Sequence, residues 1–113
     1  MTQRRHALVT GAGSGIGKAI ALRLAAAGHA VSLAGRRAAP LEAAAGEIVA
    51  AGGGASVLAG FDVTDQNSVD AGVGRAVERL GDIAVLVNCA GEAPSAPFEK
   101  TGLDMWNRVI GIN

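Results

Sequence analysis

The sequence predicts an α/β fold in which a doubly wound parallel sheet carries helices on both faces. Three observations predict it. Short apolar runs alternate with longer, alanine-rich amphipathic stretches along the chain. The first of these runs, residues 7–10, is continuously apolar, as expected for a strand buried on both faces. A glycine-rich loop stands between the first run and the first helical stretch. The order is strand–helix three times, a fourth strand and the start of a helix, which implies a parallel sheet with right-handed crossovers.

The elements follow in order. Residues 7–10 (Ala-Leu-Val-Thr) read as the first strand, and 14–27 as the first helix, with Ile20, Leu22 and Leu24 among alanines. Gly28 supplies its left-handed stop. Residues 30–34 form a second strand. Pro40 marks the start of a second helix, since proline suits a first turn. Leu41, Ala44, Ala45, Ile48 and Val49 fall on one face of it, and the glycines at 52–54 end it. Residues 56–59 are a third strand, and Thr64 or Asp65 caps a third helix. Its apolar face is Val69, Val73, Ala76, Val77 and Leu80; Gly72 and Gly74 within it each cost about 1 kcal/mol relative to alanine. Gly81 ends it, and 83–87 is a fourth strand. Thr101 and Asp104 resemble a capping box before Leu103, Trp106 and Ile110, which begin a last helical turn or two.

Composition narrows the function. The 113 residues fit one domain, and half of them are apolar, enough for a buried core. Ten basic side chains balance ten acidic ones with no long block of either sign, against a nucleic-acid arm or a membrane-binding patch. Cys89 is the only cysteine and cannot form an internal disulfide, which points to a reducing compartment. His6 and His29 stand far apart with no cysteine nearby, so no metal site is expected. The apolar run after Arg4 and Arg5 is too short for a signal peptide or a membrane span. A soluble, cytoplasmic protein is expected.

The loop Thr10-Gly11-Ala12-Gly13-Ser14-Gly15-Ile16-Gly17 carries the chemistry. A dinucleotide pyrophosphate sits at a helix N-terminus, where free N–H groups and the helix dipole favour an anion. Glycines there permit the tight turn, the close approach of backbone to phosphate and close helix–strand packing. No GxxxxGK[ST] pattern occurs, which disfavours an ATP-type P-loop.

Thr10-Gly11-x-x-x-Gly15-x-Gly17 resembles the TGxxxGxG motif of the short-chain dehydrogenase/reductase family. Three further matches follow in order. Asp62-Val63 resembles the family's acidic position that bonds the adenine amino group. Asn88-Cys89-Ala90-Gly91 is similar to NNAG, with a small, buriable cysteine as the departure. Trp106 with Asn113 resembles the stretch that ends in the family's catalytic asparagine; Trp106 itself is read as core packing. The resemblance spans the whole chain and implies a Rossmann-type fold, here reaching about four strands, and an NAD(P)-dependent oxidoreductase acting on a small-molecule carbonyl or alcohol. It assigns Gly11, Ser14, Gly15, Ile16 and Gly17 to the pyrophosphate, and Asp62 and Val63 to the adenine. Asn88, Ala90 and Gly91 fall near the nicotinamide-side ribose, and Asn113 in the proton relay.

The second strand ends Ala34-Gly35-Arg36-Arg37, with no acid from Val31 to Leu41. An acid at its end would hold a ribose 2′-OH; an arginine suits a 2′-phosphate. Arg36, with Arg37 beside it, therefore favours NADP over NAD. Ser14 offers a hydroxyl where many NADP-linked members carry a base, so use of both cofactors stays open.

The family's relay also needs a tyrosine and a lysine four residues later, and this sequence contains no tyrosine; its lysines are Lys18 and Lys100. Only Asn113 is carried over as catalytic. The alternatives are a non-catalytic dinucleotide-binding module or a truncated remnant. With strand order 3-2-1-4, the fourth strand is expected to leave an apolar edge, so the isolated chain is expected to be poorly stable or to need a partner. A homo-oligomer is expected for a full-length form, and residues 94–97 with Phe98 are expected to shape one wall of a substrate cleft.

Overall fold

The strands form where the apolar runs predict them. The computed structural model describes residues 4–89. Four strands, β1 (His6–Thr10), β2 (Ala30–Ala34), β3 (Ala55–Leu58) and β4 (Ile83–Asn88), alternate with α1 (Gly15–Ala26), α2 (Ala38–Ala50) and α3 (Gln66–Leu80). The sheet runs β3-β2-β1-β4, and every pair is parallel. All residues of β1 and β2 are buried, which is why those runs are mainly apolar, with His6, Thr10 and Ser32 as buried polar members. The expected α/β class and strand order are both observed. Among the described residues β4 pairs with β1 alone, and Val85, Leu86 and Val87 are half-buried.

Side chains alternate across each strand and divide the core in two. Val9, Val31 and Leu33 pack with Leu41, Ala44 and Ile48 beneath α1 and α2. Leu8, Ala34 and Leu58 pack with Phe61, Val69 and Val73 beneath α3. Helix α1 lies on the sheet through two small residues, Gly17 and Ala21; Ile20, Leu22 and Leu24 are only half-buried. Small residues let a helix approach closely, a packing that the apolar pattern of α1 does not announce.

Two expectations need correction. Helix α2 begins at Ala38, two residues before Pro40, because a proline anywhere in the first turn loses no helical hydrogen bond. Val49 and Val77 do not belong to the buried faces; they are 59% and 37% exposed. Each lies one residue, about 100° of helical rotation, past a buried neighbour, Ile48 or Ala76. Of the two cap candidates, Asp65 is the N-cap of α3, accepting from the N–H groups of Asn67 and Ser68.

Gly72 is a seat for an aromatic ring. A Cβ placed there would lie 2.6 Å from Phe61 Cε2 and nearer still to Cδ2. Alanine would regain about 1 kcal/mol of helix propensity, while overpacking costs about 1–3 kcal/mol. The overpacking wins because Phe61 is itself buried and has nowhere to turn. Gly72→Ala is expected to lower the melting temperature by several degrees in a thermal melt followed by circular dichroism.

Two polar devices tie the sheet. Arg79 donates from Nη1 to the Val57 carbonyl at 2.9 Å and to Ser56 Oγ at 3.0 Å. The carbonyls of Gly54 and Leu58 face β2, so that of Val57 faces the outer edge of β3, and Arg79 places a charge there. At the amino-terminal edge of the sheet, buried His6 bonds Gly81 O through Nδ1 at 2.8 Å and Ser32 Oγ through Nε2 at 2.7 Å.

Candidate functional site

The glycine loop leaves the carboxyl end of β1 and turns directly into α1. Gly11 and Gly15 have φ values of 63° and 59°. The loop is held from three sides. Ala12 N–H donates to Ala34 O at the end of β2 at 3.2 Å. A Cβ on Gly13 would lie 3.0 Å from Pro40 Cβ of α2, and one on Gly17 would lie 3.3 Å from Cys89 Cβ after β4. Ser14 is the N-cap of α1 and its side chain makes no capping hydrogen bond. The first-turn N–H groups of a helix have no acceptor within it, and there is open space around Gly15, within 4 Å of where its Cβ would be. Ser14, Gly15 and Ile16 are exposed, Ile16 to 75%. A pyrophosphate fits such a cradle: close backbone, free donors and no side chain in the way.

Two further loops meet beside it. Gly35 N–H donates to Leu58 O, Phe61 N–H to Gly35 O and Gly60 N–H to Arg36 O, at 3.0–3.2 Å. These bonds zip the exits of β2 and β3 together and set Arg36 next to Asp62, with Nη2 to Oδ1 at 3.7 Å. Asp62 Oδ1 also accepts from Thr64 N–H at 2.9 Å and Thr64 Oγ1 at 2.7 Å. The Thr64 hydroxyl first, then its N–H, with Arg36 adding, hold the Asp62 carboxyl below the usual carboxylate range. Ser68 Oγ accepts from Asp62 N–H and donates to Gly60 O, which fixes the backbone of the same turn. Arg36 and Arg37 are exposed, and Val63 is half-buried against the α3-side core. The pair offers a cationic fork beside an ionised acceptor.

Asn88 ends β4 opposite Thr10 in the parallel register. Thr10 Oγ1 donates to Asn88 Oδ1 at 2.9 Å and accepts from Cys89 N–H at 3.0 Å. One hydroxyl thus joins the ends of the neighbouring strands β1 and β4. Gly11, Ser14, Gly15, Ile16, Gly17, Arg36, Arg37, Asp62, Val63 and Asn88 all fall along the carboxyl edge of the sheet. In open α/β sheets that edge is where ligands bind. Ala90, Gly91 and Asn113, with residues 94–97, Phe98, Thr101, Leu103, Asp104, Trp106 and Ile110, lie outside the described residues. Thr64 and Ser68 shape the site without standing out in the sequence as site residues; the hydroxyl of Thr64 two residues after Asp62 is the available signal.

A parallel β3-β2-β1-β4 sheet with a glycine loop between β1 and α1 defines a Rossmann-type α/β unit. The short chain dehydrogenase family profile matches residues 5–113, and the chain belongs to that family. It is 42% identical over 113 residues to the short-chain reductase protein NovJ of Streptomyces niveus, covering 100% of this chain and 43% of that protein. It is 42% identical over 108 residues to gluconate 5-dehydrogenase of Gluconobacter oxydans, covering 96% of this chain and 42% of that one. A metagenomic short-chain oxidoreductase solved in complex with NADP superposes with a TM-score of 0.81 at 31% identity, covering 95% of this chain and 55% of that structure. A hydroxysteroid dehydrogenase from Escherichia coli gives 0.83 at 29% identity, covering 94% of this chain and 47% of that structure. The chain thus spans less than half the length of the curated relatives it matches here. Among the described residues no helix is long and apolar enough to cross a membrane.

Proposed function

We propose that residues 1–113 form a single cofactor-binding domain of an NAD(P)-dependent oxidoreductase that interconverts a small-molecule carbonyl and alcohol. The observation that carries this is the meeting of the β1–α1 glycine loop, Arg36 and Asp62 along one sheet edge, zipped by backbone bonds. When bound, a nicotinamide cofactor supplies or accepts the hydride. Gly11, Ser14, Gly15, Ile16 and Gly17 hold its pyrophosphate on the free N–H groups of α1. Asp62 and Val63 hold the adenine, and Asn88, Ala90 and Gly91 lie near the nicotinamide-side ribose. Asn113 serves the proton relay by its place in the motif. The working protein is placed in the cytoplasm as a homo-oligomer.

The cofactor is NADP in preference to NAD. Arg36 is exposed, and its pairing with Asp62 is long at 3.7 Å, so its guanidinium can fork onto a 2′-phosphate, and Arg37 adds charge beside it. Arg36→Ala is expected to weaken NADPH binding by about tenfold or more, the value of a charge-assisted hydrogen bond, and to leave NADH within about twofold. Titration of nicotinamide fluorescence measures both. Equal loss for the two cofactors, or tighter NADH binding by the wild type, would reject the preference.

For residues 1–113 taken by themselves, a second reading is dinucleotide binding without turnover, because these residues contain no tyrosine. Steady NADPH oxidation with a carbonyl substrate separates the two, because only the oxidoreductase sustains it.

A further inference from the structure

Asp62 is placed unequally. Its Oδ1 takes both bonds from Thr64 and faces Arg36, whereas Oδ2 accepts no hydrogen bond among the described residues. Without the Thr64 hydroxyl, Oδ1 keeps only the Thr64 N–H at 2.9 Å and the Arg36 guanidinium, 3.7 Å away on an exposed, adaptable side chain. Ser68 pins the Asp62 N–H but touches neither carboxylate oxygen. The orientation of the carboxylate therefore rests chiefly on the two Thr64 bonds to Oδ1, of which the hydroxyl's is the shorter.

We infer that Thr64 is a positioning residue for base recognition: its hydroxyl holds Oδ1 so that Oδ2 stays free to accept from the 6-amino group of a purine. The inference rests on the proposal that Asp62 faces the adenine. An ionised carboxylate only accepts, so it rewards a 6-amino group and repels the 6-keto oxygen of hypoxanthine. The same two bonds that orient Asp62 also favour its ionised form. Once the hydroxyl is gone, a single N–H holds Oδ1, the carboxylate is free to rotate, and adenine recognition weakens. Thr64 is thus predicted to sharpen base choice without touching the ligand.

The test uses protein carrying the complete chain, with NADPH and its hypoxanthine analogue as probes in fluorescence titrations. Wild type is expected to prefer the adenine form by about tenfold, the scale of one hydrogen bond to a charged group. Thr64→Val keeps the shape and the backbone N–H, and Thr64 is exposed, so its melting temperature should match wild type. Its discrimination is expected to fall below about twofold, its NADPH affinity to drop several-fold, and Thr64→Ser to restore both. Asp62→Ala supplies the separating control. If Asp62→Ala loses discrimination while Thr64→Val retains it, Asp62 reads the base and the role given to Thr64 is wrong. If Asp62→Ala discriminates like wild type, or wild type binds neither probe, the reading of Asp62 fails and this inference goes with it.

Discussion

Replacing Gly17 by alanine is expected to cost both stability and cofactor affinity more than any other single methyl addition in the described part of the chain. A Cβ at 17 would lie 2.8 Å from Gly11 C and closer still to its carbonyl oxygen, with Cys89 Cβ at 3.3 Å on the other side. Neither neighbour is the loose end of a flexible side chain. Gly11 leaves a strand that is bonded on both edges and already has a positive φ. Helix α1 must therefore move away from the sheet, which costs about 1–3 kcal/mol as overpacking does elsewhere. That displacement withdraws the first-turn N–H groups from the phosphates together. Losing two charge-assisted bonds of about 1.5 kcal/mol each is roughly a hundredfold in affinity. Thermal melts and NADPH titration of Gly17→Ala measure both; a native melting temperature with native affinity would mean that α1 is not seated on Gly11.

The second large effect is acid sensitivity through His6. A carbonyl can only accept, so Nδ1 carries the proton toward Gly81 O, and Nε2 accepts from the Ser32 hydroxyl. The neutral ring satisfies both partners. Protonation would put a charge in the core and a second N–H against Ser32, and burial accordingly pushes the pKa below 6.5, with the Gly81 bond opposing only in part. The unfolded chain then binds more protons than the folded one between the lowered value and 6.5. Stability from this group is complete above pH 6.5 and declines as the pH falls below it, levelling off beneath the folded value. Asp62, held below the usual carboxylate range, does not titrate in that window. Urea titrations of wild type between pH 7.5 and 5 should show this decline. His6→Phe should be about 1–3 kcal/mol less stable at pH 7.5, because Ser32 and Gly81 lose a buried partner, yet should show a flatter pH dependence. A wild type equally stable at pH 5 and 7.5 would contradict the neutral, doubly bonded ring.

Legibility followed the physics of each feature. Strands buried on both faces write themselves as apolar runs, so β1 and β2 were readable. The outer strands of the described sheet, β3 and β4, are only partly buried but keep enough apolar residues, and the alternation with helices made the parallel order readable. The glycine loop was readable because its glycines stand where backbone must approach backbone, as Gly17 does against Gly11. Helical faces were readable only to within a residue: Val49 and Val77 are as apolar as their buried neighbours but sit past the edge of the stripe. Gly72 looked like a cost to α3 because the sequence does not reveal that Phe61 needs the space. The Arg36–Asp62–Thr64 arrangement depends on backbone bonds between two loops 24 residues apart, from Gly60 to Arg36, and no local pattern encodes that distance.

The central claim is that the carboxyl edge of this sheet binds an NADP-type dinucleotide. Calorimetric titration of the complete chain with NADPH tests it most directly. One saturable site, with NADH bound about tenfold or more weakly, is the predicted result. The absence of saturable binding by either cofactor, in protein shown by circular dichroism to be folded, would contradict it.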